Sequence, residues 1–268
     1  MPQIDDLFTK LRREKRKALM PFITAGDPDV RFTAEVLREV VKRGAHLCEV
    51  GIPYSDPIAD GPVIQASYTR ALAHKIKLAD ILNTLGEVAP KIAAPLVTMV
   101  SYAIVYRHGL ERYADDVQRQ GVAGLIVPDL PVEESAALAK ICAARGLSLI
   151  QLVTPTTPRD RALRITETST GFLYYVSVAG ITGERTELPP ELVDNVGWLR
   201  GQTKLPICIG FGISKPEHVK LLAPVADGLI VGSAIVRRIA AAETQPREKI
   251  LHDVGDYVAE LLAALKAG

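Results

Sequence analysis

Apolar residues along this chain recur in two alternating patterns. Short runs rich in β-branched and aromatic residues, "ALMPFITAG", "HLCEVGI", "PLVTMVSY", "GLIVPDL", "LSLIQLV", "FLYYVSV", "PICIGFG" and "DGLIVGS", each read as one buried strand. Between them the spacing becomes helical. Over Val132 to Arg145, for example, Val132, Ala136, Leu138 and Ile141 form a stripe, with Glu133 and Glu134 in the first turn, where the helix dipole favours anions. Ahead of the first strand, Ile4, Leu7, Phe8 and Leu11 follow the same period, with Asp5 and Asp6 early and Lys and Arg late. This predicts an N-terminal amphipathic helix with a solvated polar face; the alternative is a basic contact surface.

Eight strand–helix units without a linker or composition break predict a parallel sheet, and eight is the number that closes a (β/α)8 TIM barrel. The predicted fold is therefore one α/β domain over residues 1–268 with an extra N-terminal helix, and a doubly wound open sheet is the alternative. The runs start about 20 to 35 residues apart, except that nearly 50 separate the second from the third. That excess holds the proline-rich loop Pro53 to Pro62 and room for a second helix over Leu78 to Ala89. The unit after strand six is stretched too, by "AGITGERTELPPE". Such βα loops cluster on the face where barrel active sites lie, so both are candidate lids.

Composition narrows the class. With 48% hydrophobic and 24% charged residues, the 268-residue chain reads as an ordinary soluble globular protein. Its longest stretch free of charge, Thr168 to Gly183, has sixteen residues and is too short and too polar to span a bilayer. The basic N-terminus lacks the apolar segment of a secretory signal. A net charge of +1 argues against a dedicated nucleic-acid binder. Cys48, Cys142 and Cys208 are far apart and in apolar surroundings, which predicts free thiols in a reducing, cytoplasmic compartment. The histidines, His46, His74, His108, His218 and His252, come nowhere closer than 28 residues, so no local metal-ligand spacing exists and no metal is expected.

The chemistry-bearing positions stand out against that background. In "HLCEVGI" Leu47, Glu49 and Gly51 share a strand face that should line the barrel lumen. Desolvation there would raise the pKa of Glu49 towards what a general acid/base needs, unless a buried arginine or backbone amides pair with it. Asp60 in "PIADGP" and Asp56 in "YSDP" read equally as turn residues or as a second carboxylate on a loop over the first. "GFGIS" and "GSAIV" follow the last two strands, where barrels often bind phosphate; capping by Ser214 and Ser233 is the plainer reading of each alone. "AGITG" after strand six could complete such a cradle. Lys17, Lys91 and Lys204 all precede strands, which disfavours a Schiff-base aldolase. Phe22, Tyr102, Tyr174 and Phe211 lie near strand ends, as pocket walls or plain core.

The segments "EVGIPYSDPIADGPVIQASYTRAL", "VPDLPVEES", "GITGERTELP", "GFGISKPEHV" and "GSAIV" closely resemble, in order over nearly the whole chain, the tryptophan synthase alpha subunit family. The resemblance implies a lyase of tryptophan biosynthesis that cleaves indole-3-glycerol phosphate to indole and glyceraldehyde 3-phosphate by a retro-aldol reaction without cofactor. By motif, Glu49 matches the general acid/base and Asp60 the carboxylate that stabilises the protonated indole nitrogen. Phe22 and Tyr174 match indole-pocket positions, and Gly183, Phe211, Gly212, Gly232 and Ser233 match phosphate positions. Thr182 lies in the loop that closes onto the aspartate. Tyr54 and Pro128 depart from common forms of the pattern, and Pro128 could alter contacts beneath loop two. The implied partner is the pyridoxal-phosphate beta subunit in an alpha2beta2 heterotetramer, docking on Pro53, Asp56 and Pro57. A free-standing indole-releasing lyase and a noncatalytic phosphate-binding barrel are the alternatives.

Overall fold

Every predicted run forms strand, and all strands are parallel. The computed structural model describes residues 2–58, 60–177, 190–210 and 212–267. Its strands are β1 (Ala18–Thr24), β2 (Cys48–Gly51), β3 (Leu96–Met99), β4 (Gly124–Ile126), β5 (Ser148–Ile150), β6 (Leu152–Val153), β7 (Leu173–Val176), β8 (Ile207–Gly210) and β9 (Gly228–Val231). They pair in the order β5-β4-β3-β2-β1-β9-β8-β7-β6. The two ends of that order are consecutive in the chain, so the sheet curls into the TIM barrel that the alternation predicts.

Nine segments stand where eight runs were expected, because "LSLIQLV" is cut at Gln151. Its first half pairs with β4 and its second with β7. At the change of partner, side-chain hydroxyls stand in for strand carbonyls: the Leu149 N–H donates to Thr170 Oγ1 at 2.8 Å and the Gln151 N–H to Ser169 Oγ at 3.1 Å. One strand thus serves both edges of the sheet, with the Leu149 and Gln151 donors satisfied at the junction.

The two faces of each strand go to different cores. Met20, Leu47, Val97, Ile126, Ile150, Tyr174, Cys208 and Ile230 meet in the lumen. Their sequence neighbours Leu19, Cys48, Leu96, Leu125, Leu149, Leu173, Ile207 and Leu229 pack outward under the helices. Burial on both faces explains why the runs are almost continuously apolar rather than alternating. Among the described residues no helix is long and apolar enough to cross a membrane.

The N-terminal helix, Gln3–Arg13, is amphipathic as predicted, with Asp5 and Asp6 in its first turn and Lys10, Arg12 and Arg13 in its last. Its periodicity did not reveal what the stripe packs on. Ile4, Phe8 and Leu11 are buried in the lumen cluster itself, and the Phe8 ring lies 5.9 Å from that of Phe172. The helix is a plug for the N-terminal end of the barrel. Between β2 and β3 the extra length forms two helices, Pro62–Ala73 and Leu78–Val88. The predicted helix after β4 is Ala136–Ala144, preceded by a 3-10 turn over Val132–Glu134.

If the helix is part of the lumen core, Phe8→Ala removes a wall of that core and should cost about 3 to 5 kcal/mol in urea unfolding. A loss below about 1 kcal/mol would mean that the helix only rests on the barrel.

Candidate active site

Strand periodicity puts Glu49 in the lumen, level with Phe22 on β1 and Val97 on β3 in the pairing register. It is buried, with only 1% of its surface exposed. Neither carboxyl oxygen meets a hydrogen-bond partner among the described residues. Among the described residues there is neither the arginine nor the backbone amides that would make it a structural carboxylate. Burial, and then the nearby charge of Asp60, push its pKa from 4.5 up to about 8, so it is a neutral acid at pH 7.

Asp60 reaches the same place from a loop. The chain leaves β2, turns through Pro53–Gly61 and enters the helix Pro62–Ala73, with Gly61 as N-cap and Pro62 in the first turn, where a missing N–H costs nothing. The Gln65 amide on that helix reaches back to the carbonyls of Pro57 at 3.2 Å and Asp60 at 2.7 Å, and so fixes the loop end. The helix is in turn tied to the end of β1 and the loop after it. Ser67 and Thr24 share a 2.6 Å hydrogen bond, and Arg70 grips the buried Asp27 with bonds of 2.9 and 2.6 Å. Partial burial raises the Asp60 pKa to about 6. The pair therefore straddles neutrality, with one carboxyl protonated and the other ionised.

Both carboxyls line a cavity of about 400 Å³ at the C-terminal mouth of the barrel. Its apolar walls include Phe22, Ile64, Met99, Leu152, Tyr174 and Ile230. Two glycines make room for the aromatic walls. A Cβ on Gly51 would come within 2.4 Å of the Phe22 ring, and one on Gly210 within 2.5 Å of the Tyr174 hydroxyl. Burial, followed by the charges of Glu49 and Asp60, raises the Tyr174 pKa well above its usual value, so the phenol stays neutral. The lining also includes Gly212, Ser214, Gly232 and Ser233. The cavity thus combines apolar walls, two carboxyls and a glycine-rich stretch. A larger opening, about 590 Å³, lies near the N-terminal helix, among surface groups such as Gln3, Asp6, Lys10 and Arg119, and contains neither of these carboxyls.

Of the positions singled out in the sequence, Glu49, Asp60, Phe22, Tyr174, Gly212, Gly232 and Ser233 meet in this cavity. Tyr102 does not line it. Its backbone N–H donates to Asp129 at 2.7 Å, and its ring packs beside Tyr106 against the outer core. Thr182, Gly183, Phe211 and the candidate lid that contains the first two lie outside the described residues. Pro128, expected to act beneath loop two, lines the cavity directly. Arg237 and Ile64 also line the cavity, and neither is among the candidates singled out in the sequence. Arg237 falls four residues after Ser233, hence on the same helical face, and Ile64 stands four before Tyr68; those spacings were the available signals.

A family model described as "Tryptophan synthase alpha chain" matches residues 8–265. The tryptophan synthase alpha chain of Rhodopirellula baltica is 57% identical, with both chains covered in full. That of Rippkaea orientalis is 45% identical over 99% of each. Among solved structures, tryptophan synthase subunit alpha from Legionella pneumophila str. Paris superposes with a TM-score of 0.91 at 36% identity, covering 100% of both chains. A chain of the tryptophan synthase complex from Pyrococcus furiosus gives 0.83 at 35%, covering 92% of this chain and 99% of that one.

The buried carboxyl has a thermodynamic signature. Glu49 ionises near 4.5 in the unfolded chain and near 8 in the fold, so its contribution to stability is complete below pH 4.5 and is lost as pH rises to 8. Glu49→Gln carries no such loss. Relative to the parent, the variant should gain at least about 1 kcal/mol in urea unfolding between pH 5 and pH 8.5. A constant difference would show that Glu49 is ionised or paired in the fold.

Proposed function

The chain belongs to the tryptophan synthase alpha chain family, lyases that cleave indole-3-glycerol phosphate to indole and glyceraldehyde 3-phosphate, and we propose that Glu49 is its acid/base and Asp60 its counter-charge. The observation that carries this reading is the Glu49 carboxyl, buried, unpaired and facing a cavity that a second carboxyl also lines. A protein rarely leaves a buried polar group unsatisfied unless chemistry needs it.

The reaction must break the bond between indole C3 and the glycerol chain, and the electrons of that bond need somewhere to go. Protonated Glu49 gives its proton to C3, which turns the ring into an iminium-like electron sink. Asp60, ionised above about pH 6, stabilises the positive charge that develops at the ring nitrogen. Glu49, now a carboxylate in an apolar site, takes the proton of the C3′ hydroxyl. The carbonyl of glyceraldehyde 3-phosphate forms as the C–C bond breaks, its electrons return to the ring, and the glutamate ends as it began. One group serves as acid and then as base because its pKa lies close to the working pH. Phe22, Leu152 and Tyr174 offer flat and apolar walls to the indole, and Gly212, Gly232 and Ser233 form the end for the phosphate. On this reading Thr182, Gly183 and Phe211 belong to the phosphate end and its cover.

The partner on this reading is the pyridoxal-phosphate beta subunit, in an alpha2beta2 assembly. Loop two supports a docking role on the same face as the cavity. Asp56 is exposed, and so is Ile58, an isoleucine at 92% exposure, whereas Pro53 is buried within the chain.

Glu49→Gln should lower turnover by at least about 10²-fold with substrate binding retained. More than a tenth of parental turnover would remove Glu49 from the acid/base role. In the parent, kcat/KM should fall above about pH 8 as Glu49 ionises and below about pH 6 as Asp60 takes a proton. Phosphate monoesters also titrate near pH 6. Asp60→Asn separates the two: turnover should fall about tenfold or more, and only the substrate's own limb should remain on the acid side. An unchanged rate would return Asp60 to an ordinary turn residue.

A further inference from the structure

We propose that Arg237 is the charged anchor for the phosphate monoester, and that it sets which end of the substrate faces the carboxyls. This deepens the reading above and rests on it. The cavity must accept a dianion although Asp60 in its lining, ionised above about pH 6, repels one. Among the described lining residues Arg237 is the only cation. It stands in the helix Ser233–Ile239, one turn beyond Ser233 and on the same face. Helical side chains lean back over the preceding turn, so a long arginine at 237 reaches towards Ser233 and the glycine-rich wall.

The neighbouring arginine shows what a structural role looks like at this helix. Arg238 donates to the Ala234 carbonyl at 2.9 Å and lies 3.5 Å from the centroid of the Tyr257 ring. Arg237 is exposed and makes no hydrogen bond or ion pair among the described residues. An unengaged guanidinium beside a cavity that lacks any other described cation is suited to a phosphate, which it can meet with two parallel N–H donors. It stands on the helix after β9, whereas the carboxyls come from β2 and the loop that follows it, so the cation and the carboxyls of the lining are held by different elements. A substrate entering the wrong way round would put its phosphate against Asp60.

The test compares Arg237→Gln, Arg237→Lys and the parent as full chains. It reads KM and kcat for indole-3-glycerol phosphate at low and high salt, with glycerol 3-phosphate as competitive probe. For the glutamine variant KM and the inhibition constant of glycerol 3-phosphate should both rise about three- to tenfold, with the effect on KM larger than that on kcat. The salt dependence of kcat/KM should flatten, because a rim charge acts on encounter as well as on affinity. Lysine should restore the salt dependence and part of the affinity. If glycerol 3-phosphate competes equally well in all three proteins, with the same salt dependence, Arg237 is not the anchor although the phosphate end stands. If it fails to compete even in the parent, the placement of the phosphate in this cavity falls, and this inference falls with it.

Discussion

Keeping an unpaired carboxyl out of water is the constraint around which this site is built. Among the described residues Glu49 has no ion pair and no backbone donor, and it has almost no exposure, so the fold must hold it as a neutral acid or bear a large cost. That condition dictates its surroundings. The walls are apolar, the nearest charge is another carboxylate rather than a cation, and the neighbouring phenol of Tyr174 is itself kept neutral by burial. A lysine or arginine beside Glu49 would steady the fold and abolish the acid. The one cation of the described lining, Arg237, stands on a different element, the helix Ser233–Ile239, and does not figure among the influences on the Glu49 pKa.

The second carboxyl is positioned by quite different means. Asp60 sits on a loop, and its location depends on the helix that follows, which is fastened to β1 and its loop through Ser67 with Thr24 and Arg70 with Asp27, while Gln65 secures the loop carbonyls. A rigid strand therefore carries the group that must stay buried, and an anchored loop carries the group that must stay partly wet. The difference in pKa, about 8 against about 6, follows from this division of scaffolding.

Much of this was legible in the chain. Period-two burial follows from the strand runs, and it placed Glu49 in the lumen because Leu47 and Gly51 share its face. The motif resemblance picked out Asp60, which on its own reads as a turn aspartate. What periodicity cannot supply is the identity of the neighbour. The stripe Ile4, Phe8, Leu11 predicted a helix but not that its partner is the barrel interior, and "LSLIQLV" gave no sign of a change of partner, since that depends on the hydroxyls of Ser169 and Thr170 some eighteen residues on. Tyr102 was placed near the pocket by its position at a strand end. In the structure it opens the helix Tyr102–His108, its N–H held by Asp129 from the loop after β4, a contact that no local pattern encodes. Arg237 escaped notice because a charged residue on a short helix ordinarily belongs to the solvated face.

The plugged N-terminal end of the barrel bears on traffic. With Ile4, Phe8 and Leu11 filling the floor and Phe172 tilted against Phe8, the lumen below Glu49 is packed side chain rather than passage. Among the described residues that end offers no way through, which leaves the C-terminal mouth for traffic. Whatever is released beside Glu49 departs by the side on which it arrived, past loop two and the glycine-rich wall. Any body resting on that rim becomes gatekeeper for entry and exit alike, and the order in which two products leave is decided at the threshold rather than in the chamber.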